Sequence, residues 1–230
     1  MLKKPFSFTR FRDLIGETAF SCIQEKVVLV LGCGGVGGFV IESLVRSGIR
    51  KIILVDFDII EESNLNRQII ALHSTIGKKK VDVFESRIHD INPECEVVKI
   101  DQFINEDNIS LLFSHKIDFF VDACDFVPTK KRVILECVHR KIPFISSMGT
   151  AKKMDPSKLE IIEIKKTSYD PLAKIIRKFV RDENIQVPVM VLSSSEKPYE
   201  VETLGSCSFV PSVGGLLITS YVIHYFLDRQ

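Results

Sequence analysis

Between Val27 and Gln68 the sequence gathers residue types that together handle phosphate. Gly32, Gly34, Gly35 and Gly37 follow an apolar run and open a helical pattern. Such a loop brings backbone N–H groups and a helix N-terminus to face an anion. Asp56 ends the next apolar run, Ile52 to Val55, at the spacing of an acid that holds a ribose hydroxyl, with Asp58 close behind. Asn64, Arg67 and Gln68 come next. An arginine fork with an amide beside it can clamp a triphosphate, for which nicotinamide chemistry has no obvious use. Lys78, Lys79 and Lys80 then open another helical pattern, where a cation opposes the helix dipole; a phosphate contact explains at least one of them. Asp122 and Asp125, in "VDACD", lie just past a further apolar run, at the edge where sheet ligands bind. Carboxylates beside phosphates usually mean Mg²⁺. The set describes ATP with Mg²⁺ rather than NAD. A polar strand end is the plain alternative for Asp56 and Asp58, and a solvated turn for Asn64 to Gln68.

Positioning these residues requires strands that end together. Apolar runs suited to buried strands cover 27–31, 51–55, 95–100, 117–121 and 142–147, with helical patterns at 36–47, 77–91 and 129–140. Ser47-Gly48 and Asn92-Pro93 supply helix stops. Strand and helix in alternation give an α/β fold, a Rossmann-like doubly wound parallel sheet over residues 1–150. From Lys152 the rhythm changes. "KLEIIEI" and "VPVMVLS" read as strands around a basic amphipathic helix, Pro171 to Arg181, and residues 151–230 form an appended layer of the same domain.

Composition narrows the function classes. The 230 residues carry a net charge of +1, so no global field draws the chain to nucleic acid, and DNA is not expected as a partner. An RNA contact needs a local patch; the candidates are Lys152, Lys153, Lys165, Lys166, Lys174, Arg177, Lys178 and Arg181, diluted by Asp182 and Glu183. Residues 174, 177, 178 and 181 share one helix face. The cysteines (22, 33, 95, 124, 137 and 207) form no C-x-x-C pair, which argues for a reducing cytoplasm and against structural zinc. Cys33 reads as packing; Cys207 is either a small hydrophobe or a nucleophile. "MLKKPFSFTRFRD" lacks the apolar core of a leader. Ser206 to Leu227 carries no Asp, Glu, Lys or Arg, yet Pro211, Gly214, Gly215, Ser220 and His224 interrupt it. A buried C-terminal helix is the expectation, with peripheral membrane attachment as the alternative.

"GCGGVGG", "DFD", "NLNRQ", "GKKK" and "DACD", in that order and followed by "SFVPSVGGLLITSYVI", resemble the ThiF-type adenylation domain of the ubiquitin-activating superfamily. The resemblance implies binding of ATP and Mg²⁺, attack of a carboxylate on the α-phosphate, and release of pyrophosphate. It implies that Gly34 and Gly35 face the phosphates and Asp56 holds the ribose. Asn64, Arg67 and Lys80 would contact the triphosphate, and Asp125 would hold the metal. Arg12, in "FTRFRDLIG", is similar to an arginine lent by a second protomer, which implies a homodimer. "LIGETAF", "NRQIIALHSTIGKKK", "INPEC" and "DPLA" resemble the branch that dehydrates threonylcarbamoyladenosine on tRNA. The alternative branch activates a ubiquitin-like sulfur-carrier protein, with sulfur-transfer partners, and normally has two C-x-x-C pairs that this sequence lacks. Phe126, after the metal aspartate, departs from the polar residue often found there.

Overall fold

A computed structural model describes residues 8–228. Residues 1–7, the first part of the string read as lacking a leader's apolar core, and 229–230 lie outside that range. Two short helices, α1 (Thr9–Ile15) and α2 (Glu17–Gln24), are separated by Gly16, whose φ of 88° breaks the helical path. The core follows as β1 (Val27–Leu31), α3 (Gly37–Arg46), β2 (Lys51–Val55), α4 (Lys80–Ile91), β3 (Glu96–Ile100), β4 (Phe119–Asp122), α5 (Val127–Arg140) and β5 (Phe144–Ser147). It closes with β6 (Leu159–Glu163), α6 (Pro171–Asp182), β7 (Met190–Ser194) and α7 (Phe209–Leu227).

The seven strands form one sheet in the order β3-β2-β1-β4-β5-β7-β6. All neighbours are parallel except β6 and β7. The order reverses between β1 and β4, so the connections that leave their carboxyl ends run in opposite directions along the sheet and open a crevice there, while the strands stay paired to their ends. Every residue of β1 is buried, as a central parallel strand covered on both faces demands. β3 is the exception among the expected buried strands. At the sheet edge it exposes Glu96 and Lys99. The strands of the appended segment extend the main sheet: β7 inserts beside β5, and α6 covers the face that α5 also covers.

The C-terminal helix is long and apolar enough to cross a membrane by length and composition alone, but half of its most apolar window is buried. Val210, Ile218, Val222 and Phe226 enter the core. Gly215 allows the close approach to α3, since a Cβ there would sit 2.5 Å from the Val36 carbonyl oxygen. One expectation for the basic patch is corrected here. Lys153 is buried, its Nζ donating to the carbonyls of Ser194 (3.3 Å) and Glu196 (3.0 Å), and burial lowers its pKa. It braces the turn after β7 and offers no charge to the surface.

Candidate active site at the carboxyl ends of β1, β2 and β4

The glycine loop leaves β1 and turns into α3 under tight steric limits. Gly32 has φ 91°, and a Cβ there would lie 2.7 Å from the Ala123 carbonyl oxygen beyond β4. A Cβ on Gly37 would lie 1.8 Å from the carbonyl oxygen of Gly32. Gly35 is held between the Arg67 stem and Pro211, with Cβ distances of 3.5 and 3.3 Å. The first turn of α7 therefore backs the loop. This gives the "VPSVGG" string a mechanical role.

Asp56 stands at the end of β2, where Oδ2 accepts from Cys33 N–H (2.6 Å) and Oδ1 accepts from Asp58 N–H (2.9 Å). It ties the loop to the second strand. Burial pushes its carboxyl above the ordinary carboxylate range, against the opposing pull of Lys80. A short antiparallel pairing of Ile59 with Lys79 brings distant segments together: Ile60 N–H donates to Lys78 O (2.8 Å) and Lys80 N–H to Asp58 O (3.1 Å). Lys80 Nζ consequently donates to Asp58 Oδ2 at 2.6 Å and lies 4.0 Å from Asp56 Oδ1. Of the three consecutive lysines only Lys80 is buried, while Lys79 pairs with Asp101.

Arg67 Nη1 donates to Ser63 O (2.8 Å) and Asn66 Oδ1 (2.9 Å), holding the guanidinium beside the loop. Asn64 is buried in a 3-10 turn, where its Oδ1 accepts from Glu61 N–H at 3.1 Å. Gln68 is buried too, and its Oε1 has no hydrogen-bond partner. Its amide nitrogen lies 3.9 Å from where a Gly34 Cβ would be. An unpaired buried amide oxygen costs about 1–3 kcal/mol, which a donor arriving at the loop removes.

Past β4 the two aspartates separate. Asp125 is exposed at the strand end, in keeping with a metal contact. Among the described residues no cluster of three or more acidic, His or Cys side chains could hold a metal without a ligand's help. Mg²⁺ commonly binds through one carboxylate plus phosphates, so Asp125 fits that use. The expectation for Asp122 is corrected: it is fully buried, and its Oδ2 accepts from Lys130 Nζ (2.8 Å) and Ser146 Oγ (2.6 Å). It bonds β4 to α5 and β5 and does not reach the cleft.

Three phenylalanines meet at the same edge, a feature the spacing of motifs did not announce. Phe57, Phe103 and Phe126 follow β2, β3 and β4, and their rings pack in sequence at 5.0 and 5.2 Å between centroids. They remain 51, 42 and 42% exposed, an apolar ledge on which a base can stack. Phe126, the odd residue after Asp125, belongs to this ledge. Arg12 is not brought to the crevice of its own chain; its guanidinium lies near Thr9 Oγ1 (3.4 Å) and Glu17 (3.6 Å) on the N-terminal helices. Cys33 is fully buried with its thiol pushed well up by burial, in line with packing. Cys207 is half-buried with Sγ directed at Lys153 O (3.6 Å).

The sequence model of the ThiF family matches residues 9–227. A tRNA threonylcarbamoyladenosine dehydratase of Bacillus subtilis is 40% identical over 235 residues, covering 94% of this chain and 92% of that protein. The crystal structure of E. coli tRNA N6-threonylcarbamoyladenosine dehydratase in complex with ATP has a TM-score of 0.92 and 31% identity, covering 97% of this chain and 94% of the other. The same enzyme in complex with AMP gives a TM-score of 0.92 as well, over 95% of its chain.

Proposed function

Because this chain belongs to the ThiF family, we propose that it uses ATP to dehydrate threonylcarbamoyladenosine on tRNA to its cyclic form. One observation carries the reading: similarity to a dehydratase runs over 94% of the chain, and it takes in a strand edge whose own residues suit ATP. A carboxylate is a poor electrophile until it is joined to a good leaving group. The threonyl carboxylate attacks the α-phosphate and pyrophosphate departs; the substrate's own carbamoyl group then attacks the activated carbonyl, loses its proton and closes the ring as AMP leaves. An intramolecular nucleophile needs no catalytic cysteine, and positioning supplies much of the rate.

The residues divide the work by location. The N–H groups of the loop and the N-terminus of α3 receive phosphate. Asp56 takes the ribose, the phenylalanine ledge takes the base, and Gln68 accepts from a donor at the loop. Arg67 and Lys80 neutralise the triphosphate as charge shifts to the leaving group. Asp125 would hold Mg²⁺, which supplies Lewis-acid stabilisation of phosphate charge. The working unit in this reading is a homodimer in the cytoplasm, with Arg12 acting across the interface. In support, Met154, Tyr199, Val201 and Leu204 are all 47% exposed or more. They border a loop that Asn66 grips at the edge of the site through Ser206 O (3.0 Å).

Incubation with ATP, Mg²⁺ and tRNA bearing threonylcarbamoyladenosine, followed by digestion and mass spectrometry, tests the reading. Loss of one water from the nucleoside is expected, Asp125→Ala is expected to abolish it, and sedimentation is expected to give a dimer. An unchanged nucleoside together with pyrophosphate exchange dependent on a ubiquitin-like carrier would assign the chain to the carrier-activating branch.

A further inference from the structure

We propose that an open groove along α6 receives the ribose-phosphate backbone of the tRNA; the inference rests on the substrate reading above. The groove measures about 900 Å³ and is lined by Lys165, Lys174, Arg177, Lys178 and Arg181 with no carboxylate in its wall. Its floor is apolar, built from Ile175, Val180 and Ile185. Lys174 and Lys178 are exposed and have no carboxylate partner among the described residues. Glu163, itself half-buried, engages the exposed Lys165 (3.4 Å), and Asp182 engages Arg181 (3.3 Å) with both exposed; pairs with an exposed cation are weak and readily exchanged for phosphate. Arg177 is anchored by Nη1 to Thr167 O (2.6 Å) and Oγ1 (2.8 Å), which fixes its guanidinium at the groove wall.

The placement of α6 links the groove to the reaction edge. Asp170 caps the helix, its Oδ1 accepting from Leu172 N–H (2.8 Å) and Ala173 N–H (3.1 Å). Its other oxygen, Oδ2, accepts from Gly149 N–H (2.8 Å), just past the carboxyl end of β5. The helix thus starts at the sheet edge that holds the nucleotide site. It then returns toward the opposite edge, because β7 runs parallel to β5. Its 12 residues extend roughly 18 Å, enough for a few successive phosphates. An RNA strand whose modified base enters the site would trail its backbone over this face. A second copy of the chain is a poor occupant, since a two-fold contact through the groove sets the same cations against each other.

The test compares the parent with a triple variant, Lys174→Gln, Lys178→Gln and Arg181→Gln, leaving the anchored Arg177 in place. The probe is full-length tRNA carrying threonylcarbamoyladenosine, with binding followed across a KCl series. Removing three phosphate contacts is expected to reduce the slope of log affinity against log salt by about two to three. Affinity should fall about 10- to 100-fold at moderate salt, and KM for tRNA should rise while kcat and KM for ATP hold. Parental affinity and slope in the variant would overturn the groove while leaving the dehydratase reading intact. A variant whose sedimentation changes would instead make the groove a contact between copies, which also overturns it. If the parent itself removes no water from the nucleoside, the substrate reading fails first and the groove falls with it.

Discussion

Lys80 and Lys130 are both buried lysines at the carboxyl end of the sheet, and each is bonded to aspartate. Lys130 has no exposed surface, and its Nζ donates to Asp122 Oδ2 (2.8 Å), Ser146 Oγ (3.0 Å) and Ser147 O (3.0 Å), a partner for each N–H. Lys80 is joined to Asp58, whose side chain is 46% exposed, and stands 4.0 Å from Asp56. The first pair is closed on every side and binds β4, α5 and β5 together. The second opens toward the glycine loop, with charge to offer an incoming anion. Complete satisfaction marks a structural clamp, and partial satisfaction beside an open loop marks a site.

The largest effect should follow from breaking the closed pair. Lys130→Met strands the Asp122 carboxylate in the interior, at about 3–5 kcal/mol. Thermal unfolding should fall by about 6–20 °C for a domain of this size. The double variant Lys130→Met with Asp122→Leu should regain much of that loss, because an apolar pair leaves no buried charge unpaired. A single variant within 1–2 °C of the parent would end the distinction drawn between the two lysines.

Breaking the open pair should act on turnover instead. Lys80→Ala is expected to lower kcat/KM for ATP by about 10²–10³-fold, the scale of losing one positioned charge at a transition state. Its stability change should depend on pH in a defined direction. Asp56 already has a raised pKa from burial, and Lys80 is the charge that opposes the rise. Without Lys80 the folded value climbs further above the ordinary 3.8. A raised carboxyl contributes its stability below the unfolded value and loses it as pH rises through the folded one. The melting deficit of Lys80→Ala should therefore shrink toward pH 4 and widen at neutral pH. A deficit that is flat with pH would remove Asp56 from the pair.

The nucleotide edge was more legible in the sequence than its surroundings. Gly32 to Gly37 and Asp56 sit in or just after one continuous strand-loop-helix-strand stretch, so local spacing was enough to assemble them. Lys80 joins them only through the pairing of Ile59 with Lys79, and the family resemblance, not spacing, singled it out from three lysines. Asp122 was misassigned because a residue at a strand end faces either the crevice or the interior, and its partner Lys130 looks like any helix cation. Lys153 failed for the same reason. Composition counts its charge, while burial decides its use. The strings that resemble the dehydratase branch are partly architectural. Gly16 separates two helices with its positive φ, Asn92 Nδ2 donates to Ile49 O at 3.2 Å, and Asp170 caps α6 and holds Gly149. The phenylalanine ledge could not be read at all, since its members follow three different strands and meet only when the sheet forms.

That ledge supplies the smallest expected effect, and it tests whether the open edge is built for a base as well as for phosphates. Three large apolar rings left about half exposed forgo roughly half of the about 1.5–3 kcal/mol that full burial of each would give, which an occupant that covers them would recover. Phe103 is the middle ring, in contact with both neighbours, and Phe126 is the end nearest Asp125 along the chain. Base-on-aromatic stacking is worth about 1–3 kcal/mol per base. Since the rings stay partly exposed and two remain after any single truncation, the lower end applies. Phe126→Ala should therefore raise KM for ATP about 3- to 10-fold with kcat unchanged, the mark of binding lost equally from ground and transition states. Inhibition by inorganic tripolyphosphate, which has no base to stack, should be the same in variant and parent. If Phe126→Ala weakens tripolyphosphate as much as ATP, the ring supports the phosphate site rather than the base. If neither changes, the ledge has no part in the nucleotide edge, and the open region shrinks to the loop, Asp56, Arg67, Gln68 and Lys80.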